Sequence, residues 1–139
     1  MIYLIGSLRN PKITEVAARL RAEGYEVFDD WYSPGPHADD HWQAYERQRG
    51  HTYKQALQGY AARQVFEFDH YHLNRADVGV MVMPAGKSGH LELGYMAGKG
   101  KLTFVLFDEE PERYDVMYQF CTDVCFYMEE LLKALEETK

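Results

Sequence analysis

Three carboxylates, Asp69, Asp77 and Glu92, are the side chains of this sequence best suited to doing chemistry together. Paired acids are the usual apparatus for cleaving a glycosidic bond, one attacking the anomeric carbon while the other protonates the departing group. Glu92 lies in a glycine-rich stretch, Pro84 to Gly100, that follows an apolar run, Val78 to Met83. The run reads as a buried strand, Pro84 to Gly89 as a loop, and His90 to Lys99 as a helix closed by Gly98 and Gly100. On that reading Glu92 sits in the first helical turn, where the helix dipole favours its ionised, nucleophilic form. The alternative is a plain capping acid. Asp69 is expected near the end of a long helix and Asp77 just before the third strand. All three acids would then feed one carboxyl edge, where open α/β sheets bind ligands.

The elements that must hold these acids alternate along the chain. Met1 to Ile5 is a short apolar strand and Gly6 to Arg9 a turn. Asn10 is expected to cap a helix opening at Pro11, with Ile13, Val16, Ala17 and Leu20 on one buried face and Gly24 at its end. Tyr25 to Phe28 reads as strand two and Tyr53 to about Arg75 as a long helix. Leu102 to Phe107 and Asp123 to Phe126 read as strands four and five, and Met128 to Leu135 as a last helix with Leu131, Leu132 and Leu135 on one side. Such alternation implies a single α/β domain over residues 1–139, a parallel sheet of about five strands with helices on both faces. The stretch from Asp29 to Thr52 is too long for an ordinary connection. Its aromatic residues, Trp31, Tyr32, Trp42 and Tyr45, argue for a lid or a subunit contact rather than disorder.

Composition narrows the function classes. The 139 residues carry a formal charge of −7, with 46% apolar and 14% aromatic side chains. A chain of this size buries roughly 68% of its unfolded surface and needs no staple. The acidic balance disfavours nucleic acid and acidic membranes as partners, yet one phosphate can still be held by a local basic loop. No apolar run approaches the ~18 residues of a membrane span, and the chain opens directly into a strand, so a cytoplasmic protein is expected. Cys121 and Cys125 lack zinc-spaced partners and are expected to be reduced packing residues. His37, Asp39, Asp40 and His41, like Asp69, His70 and His72, are metal-ligand types without fixed geometry; solvated surface is the expected role, and no metal or cofactor is called for. Gly86-Lys87-Ser88 looks like the end of a phosphate loop, but Met81 stands where that motif needs its first glycine, which argues against a nucleoside triphosphatase. Gly98-Lys99-Gly100 falls at a helix end, unlike a dinucleotide fingerprint. Ser7, Ser33 and Ser88 lack the nucleophile-elbow pattern.

Three features taken in order carry a resemblance: Tyr3-Leu-Ile-Gly6-Ser7-Leu-Arg9 at the start, Asp69 followed by Asp77, and Glu92-Leu-Gly-Tyr-Met-Ala-Gly-Lys-Gly-Lys101. With them the chain resembles the nucleoside 2-deoxyribosyltransferase family, which includes the 2′-deoxynucleoside 5′-monophosphate N-hydrolases. The resemblance implies a flavodoxin-like or Rossmann-like fold, Glu92 as nucleophile, Asp69 handling the base proton, and Tyr3 touching the nucleophile. Two departures stand out. Gly86 occupies the position where the transferases carry an aspartate for the 5′-hydroxyl, and the region Met117 to Phe126 has Asp123 and Val124 where they carry an asparagine that reaches a neighbouring subunit's site. Loss of a carboxylate, with Lys87, Ser88 and loop amides at that end, removes repulsion toward a phosphate and adds donors. The family's monophosphate hydrolases use a turn like Gly6-Ser7-Leu8-Arg9 together with a serine in the glycine loop. A nucleotide is therefore expected over a free nucleoside, with Gly6, Ser7, Arg9, Gly86, Ser88 and Gly89 as candidate binding residues. His90 is either a ligand contact or a helix-start surface residue.

The implied reaction is retaining. Glu92 attacks C1′ of a 2-deoxyribosyl group while Asp69, held protonated by its neighbours Phe66 and Phe68, supplies a proton to the base. Water or a second base completes the turnover, giving hydrolysis or transfer. Two alternatives are a nucleotide-sensing module without catalysis, since fold does not fix function, and an N-glycosidase acting on a nicotinamide dinucleotide. A homo-oligomer is expected, because the 29–52 stretch and the tyrosine-rich region around Tyr114, Tyr118 and Phe120 exceed what so small a core needs.

Overall fold

The computed structural model describes residues 1–139. Strand β1 (Ile2–Ile5) is buried along its whole length, because its residues are all apolar and it has a strand on either side. It pairs with β2 (Val27–Phe28) and with β3 (Val78–Val82). Strands β4 (Leu102–Phe107) and β5 (Asp123–Phe126) extend the sheet in the order β2-β1-β3-β4-β5, all parallel. This is the Rossmann-like or flavodoxin-like α/β architecture that the alternation of elements predicts.

Alternate residues of each strand feed opposite faces, so the domain has two cores. On one face Ile13, Val16, Ala17 and Leu20 of α1 (Ile13–Ala22) join Leu131 and Leu135 of α6 (Tyr127–Glu137) over Ile2, Leu4, Val80 and Leu106. On the other, Leu73 of α4 (Tyr60–Arg75) joins Leu93 and Met96 of α5 (Lys87–Gly98) over Tyr3, Ile5, Met81 and Val105. Cys125 is buried and Cys121 partly so, both as free thiols. No helix is long and apolar enough to cross a membrane.

Several boundaries differ from the sequence expectation, each for a local reason. Helix α1 begins at Ile13 with Lys12 as its N-cap, not at Pro11. The Asn10 side chain accepts from the Lys12 amide, which closes an Asx turn ahead of the helix rather than capping it. Strand β2 shrinks to two residues. The stretch from 29 to 52 contains a 3-10 turn, Asp30–Tyr32, and an eleven-residue helix, α2 (Ala38–Gln48). The long helix expected from Tyr53 is two: α3 (Tyr53–Leu57), with a Thr52–Gln55 capping box, and α4, separated by the extended Gly59. Helix α5 starts at Lys87, three residues earlier than expected, because the extended Gly86 is its N-cap and only Met83 to Gly86 remain as loop.

Two features fix the helices that matter for the site. A Cβ on Gly79 would lie 2.6 Å from Met96 Sδ, and one on Gly89 would lie 3.3 Å from both Ala85 and Ile5, so these glycines let α5 lie close on the sheet. Helix α4 is held at its C-terminal end by Lys101, whose ammonium donates to the carbonyls of Leu73, Asn74 and Ala76 at 2.9, 2.5 and 2.6 Å. A cation there satisfies the last free carbonyls and complements the helix dipole. At ~1.5 Å per residue α4 is about 24 Å long, against about 17 Å for β3. The difference leaves roughly the first turn of α4 past the carboxyl edge of the sheet. In the N-terminal half of the helix Tyr60, Val65 and Phe66 are 86%, 64% and 64% exposed, and Leu73 is the helix's one buried residue.

Candidate active site

Strand order reverses between β1 and β3: the chain leaves β1 for β2 on one side and returns to β3 on the other. Loops at such a reversal diverge and open a crevice at the carboxyl edge. The turn after β1 (Gly6 to Asn10) and the loop after β3 (Met83 to Gly86) flank it. The first stretch of the 29–52 excursion is pinned over this edge, with Trp31 Nε1 donating to the Leu4 carbonyl at 2.7 Å and the Tyr32 hydroxyl to the Asn10 carbonyl at 2.8 Å.

Three of the candidate residues come together beneath the crevice. The fully buried Tyr3 projects from β1 and donates its phenol proton to Glu92 Oε2 at 2.9 Å. Asp69 approaches from α4 and acts electrostatically on both. With α5 starting at Lys87, Glu92 belongs to the second turn, so neither the capping-acid reading nor the dipole-activated one applies. Its ionisation is set by burial, which pushes its pKa up to about 7 against the pull of the Tyr3 hydrogen bond, with a further push from the Asp69 charge. Burial likewise raises Asp69 to about 6. That direction matches the expectation of a protonated acid, but at neutral pH Asp69 is mostly ionised. The neighbours expected to desolvate it also need correcting: Phe66 is largely exposed and stacks on His70, while Phe68 leans on Phe28. The Tyr3 phenol, buried and facing two acids, is driven far above the normal range and so acts only as a donor.

The remaining candidates divide. Asp77 lies at the opposite, amino edge, where the Met1 ammonium donates to it at 2.8 Å and holds its pKa down. It precedes β3 in a parallel sheet and so cannot reach the edge where the loops open. Gly6 fits tightly, since a Cβ there would lie 2.7 Å from Ile13 Cδ1. Ser7 Oγ accepts from the Arg9 amide, and the Arg9 guanidinium pairs with Asp40 of α2 at 2.8 Å, both side chains exposed. Gly86, Ser88 and Gly89 form the N-terminal end of α5 beside the Gly6–Arg9 turn. Both His90 ring nitrogens are engaged: Nδ1 donates to the Gly86 carbonyl at 2.8 Å and Nε2 accepts from Tyr118 at 2.9 Å. His90 thus ties the glycine loop to the segment after β4.

The histidines beside Asp69 have structural partners. His72 stacks on Phe28 at 3.9 Å, with its pKa lowered by burial and by Arg75. His70 meets the Tyr95 hydroxyl, a contact with no sequence signal beyond the adjacency of His70 to Asp69 and the one-turn spacing of Tyr95 from Glu92. No three His, Cys, Asp or Glu side chains converge in metal-binding geometry. A separate cavity of about 360 Å³ between α2 and α3, walled by Trp42, Glu46, His51 and Tyr53, shares no residue with the acid pair. The chain matches no protein-family model and no curated protein. Its function is therefore read from these residues and their geometry.

The buried acids carry a stability signature. Folding raises the pKa of Glu92 from 4.5 to about 7, so the folded state keeps that proton to higher pH than the unfolded chain does. The contribution is complete below the unfolded value and is lost as pH rises through about 7; Asp69 acts in the same sense between 3.8 and about 6. Glu92→Gln abolishes the ionisation at one site. Urea denaturation at pH 8 should find this variant more stable than the parent by roughly 1–3 kcal/mol, with the difference gone at pH 4. Equal stabilities at pH 8 would show that the carboxylate is not desolvated.

Proposed function

We propose that this protein cleaves the N-glycosidic bond of 2′-deoxynucleosides or their 5′-monophosphates, by hydrolysis or by transfer to a second base. One observation carries the reading: Glu92, hydrogen-bonded by the buried Tyr3, lies beside Asp69 under the β1/β3 reversal, and both acids have raised pKa values. Perturbed acids in a crevice are a mark of catalytic sites. The resemblance of the sequence motifs to those of the nucleoside 2-deoxyribosyltransferases implies the same roles for these residues.

The chemistry divides between the two acids. Ionised Glu92 attacks C1′, the C1′–N bond breaks, and its electron pair leaves with the base, which takes the proton of Asp69. Water or a second base then attacks C1′; the bond to Glu92 breaks, restoring its carboxylate, and the nucleophile's proton passes to Asp69. Tyr3 fixes the Glu92 carboxylate by one oxygen and leaves the other free to attack. The reactive state has one proton on the pair, a charge state most populated between the two ionisations, about 6 and about 7; Glu92 holds that proton the more firmly, so it must pass from Glu92 to Asp69 before the attack.

The 5′ end of the substrate is assigned to the Gly6–Arg9 turn and the N-terminal amides of α5, where a phosphate meets several donors. Arg9 must then exchange Asp40 for phosphate. An exposed ion pair contributes about 0–1 kcal/mol, whereas a charge-assisted hydrogen bond contributes about 1.5–3 kcal/mol, so the exchange favours the phosphate. A homodimer is the natural assembly: Tyr60, Val65 and Phe66 on α4, and Tyr114 and Phe120 after β4, are large apolar side chains left exposed, and a second copy would cover them. The protein is read as acting on small molecules, without cofactor, nucleic acid or membrane, in the cytoplasm.

Turnover of deoxynucleosides or deoxynucleotides is expected to fall at least about a hundredfold in Glu92→Gln. The kcat/KM profile of the parent should be a narrow bell peaking between pH 6 and 7, and Asp69→Asn should remove its alkaline limb. Near-parental activity in folded Glu92→Gln would end the covalent reading. For the phosphate, the 5′-monophosphate should exceed its nucleoside in kcat/KM, Arg9→Ala should erase most of the advantage, and Asp40→Ala should enlarge it. Equal parental values for the two substrates would return the assignment to a nucleoside enzyme. Light scattering at micromolar concentration should find a dimer or larger assembly, and a pure monomer would contradict the assembly.

A further inference from the structure

One turn along from the acid pair, α4 and α5 are joined by a second polar contact that none of the chemistry above uses. Tyr95 is on α5, one turn beyond Glu92; His70 is on α4, next to Asp69; Asn74 lies one turn further. The Tyr95 hydroxyl donates to Asn74 Oδ1 at 2.6 Å, which leaves its oxygen to accept from His70 Nε2 at 2.9 Å. That fixes His70 as the Nε2–H tautomer. The His70 ring is backed by Phe66, 5.3 Å away and inclined at 29°, and meets the Tyr95 ring edge-on at 5.3 Å. Lys99 lies 5.4 Å over the far side of Tyr95. A single phenol thus holds two successive turns of α4 against α5.

The link matters because it holds α4 to α5, whereas Phe68 and His72 rest on Phe28 of β2 and fix the helix on that side. Leu73 is the helix's one buried residue, and Lys101 grips only its C-terminal carbonyls. We propose that Tyr95, with His70 and Asn74, is a positioning device that sets the approach of α4 to α5 and thereby the separation of Asp69 from Glu92. This rests on the glycosidase reading for its consequence in turnover but not for its consequence in ionisation. The ionisable groups facing Glu92 are Tyr3 from β1 and Asp69 from α4; β3 and β4 bring none to it. If α4 moves off, water enters and the Asp69 charge recedes. Both changes lower the pKa of Glu92.

The test reads ionisation and turnover separately in protein labelled with 13C at the glutamate carboxyls, with the Glu92 signal assigned by its loss in Glu92→Gln. Tyr95→Phe should lower the apparent pKa of Glu92 by at least about 0.5 unit. It should also cut kcat roughly tenfold while KM stays within about twofold. His70→Leu should do the same by cutting the other end of the link, and His70→Gln, which retains a donor, should behave like the parent. A purely structural role would lower the melting temperature and leave the Glu92 titration unmoved. An unshifted titration in folded Tyr95→Phe and His70→Leu overturns the proposal. A shifted titration in a protein that cleaves no glycosidic bond would keep the positioning device and remove the glycosidase reading; an active enzyme with unshifted titration would do the reverse.

Discussion

The pairing of β1 with a strand on each side is the constraint from which the rest of the structure follows. β1 has only four residues, all inaccessible to solvent, and it carries the reversal of strand order. Because the chain departs to β2 and returns to β3, α1 packs on one face of the sheet and α4 and α5 on the other. The loops above β1 and β3 are thereby forced apart. Tyr3 faces the side of α4 and α5, so its phenol emerges where the two helices meet. Its neighbour in the sheet is Gly79, and the absence of a side chain there admits Met96 and with it the whole of α5. The site is a consequence of how the middle of the sheet is built.

That placement sets opposing demands on Glu92. The proposed nucleophile must be ionised, yet a half-buried carboxyl resists ionisation. The structure resolves this with one hydrogen bond from a phenol that cannot itself take up charge, because burial holds its proton firmly. A lysine or arginine in the same place would lower the carboxyl further and blunt it as a nucleophile. Tyr3 supplies orientation with a smaller electrostatic pull. The raised ionisation of Glu92 is thus the remainder of a large desolvation cost and a modest compensating bond, and Asp69 adjusts it from across the cleft.

Much of this was legible in the sequence, unevenly and for identifiable reasons. Strands β4 and β5 fall at the expected limits; β4 announces itself as a buried parallel strand by its nearly continuous apolar run, while β5 is a short edge strand with only Cys125 buried. The buried face of α1 was equally plain. Helix α2 was not, because its one buried residue is Glu46, held by His51 and Arg49, and a helix that buries no apolar stripe has no period to detect. Glu92 was legible as the principal acid, but its position in the helix was not, because Lys87-Ser88-Gly89 is as plausible for a loop as for a first turn. Asp77 shows the opposite error: its place in the chain was right, but in a parallel sheet a residue before a strand and a residue after it stand at opposite edges. Contacts such as His70 with Tyr95 join helices far apart in sequence, and no local pattern encodes them.

The unequal support of α4 makes it a cantilever. Its C-terminal end is built into the domain by Lys101 and Leu73, while its N-terminal half has no buried residue. Under thermal load a beam of this kind deflects little at its root and most at its tip, with the free energy of local opening falling from Leu73 toward Tyr60. Asp69 sits between the two, braced by the strut at Tyr95. Deflection of the tip is therefore separable from the position of Asp69 and from the core below. For the proposed reaction this separates the entry of a bulky ring from the ångström-scale registration of the acids, because only one end of the helix is fixed.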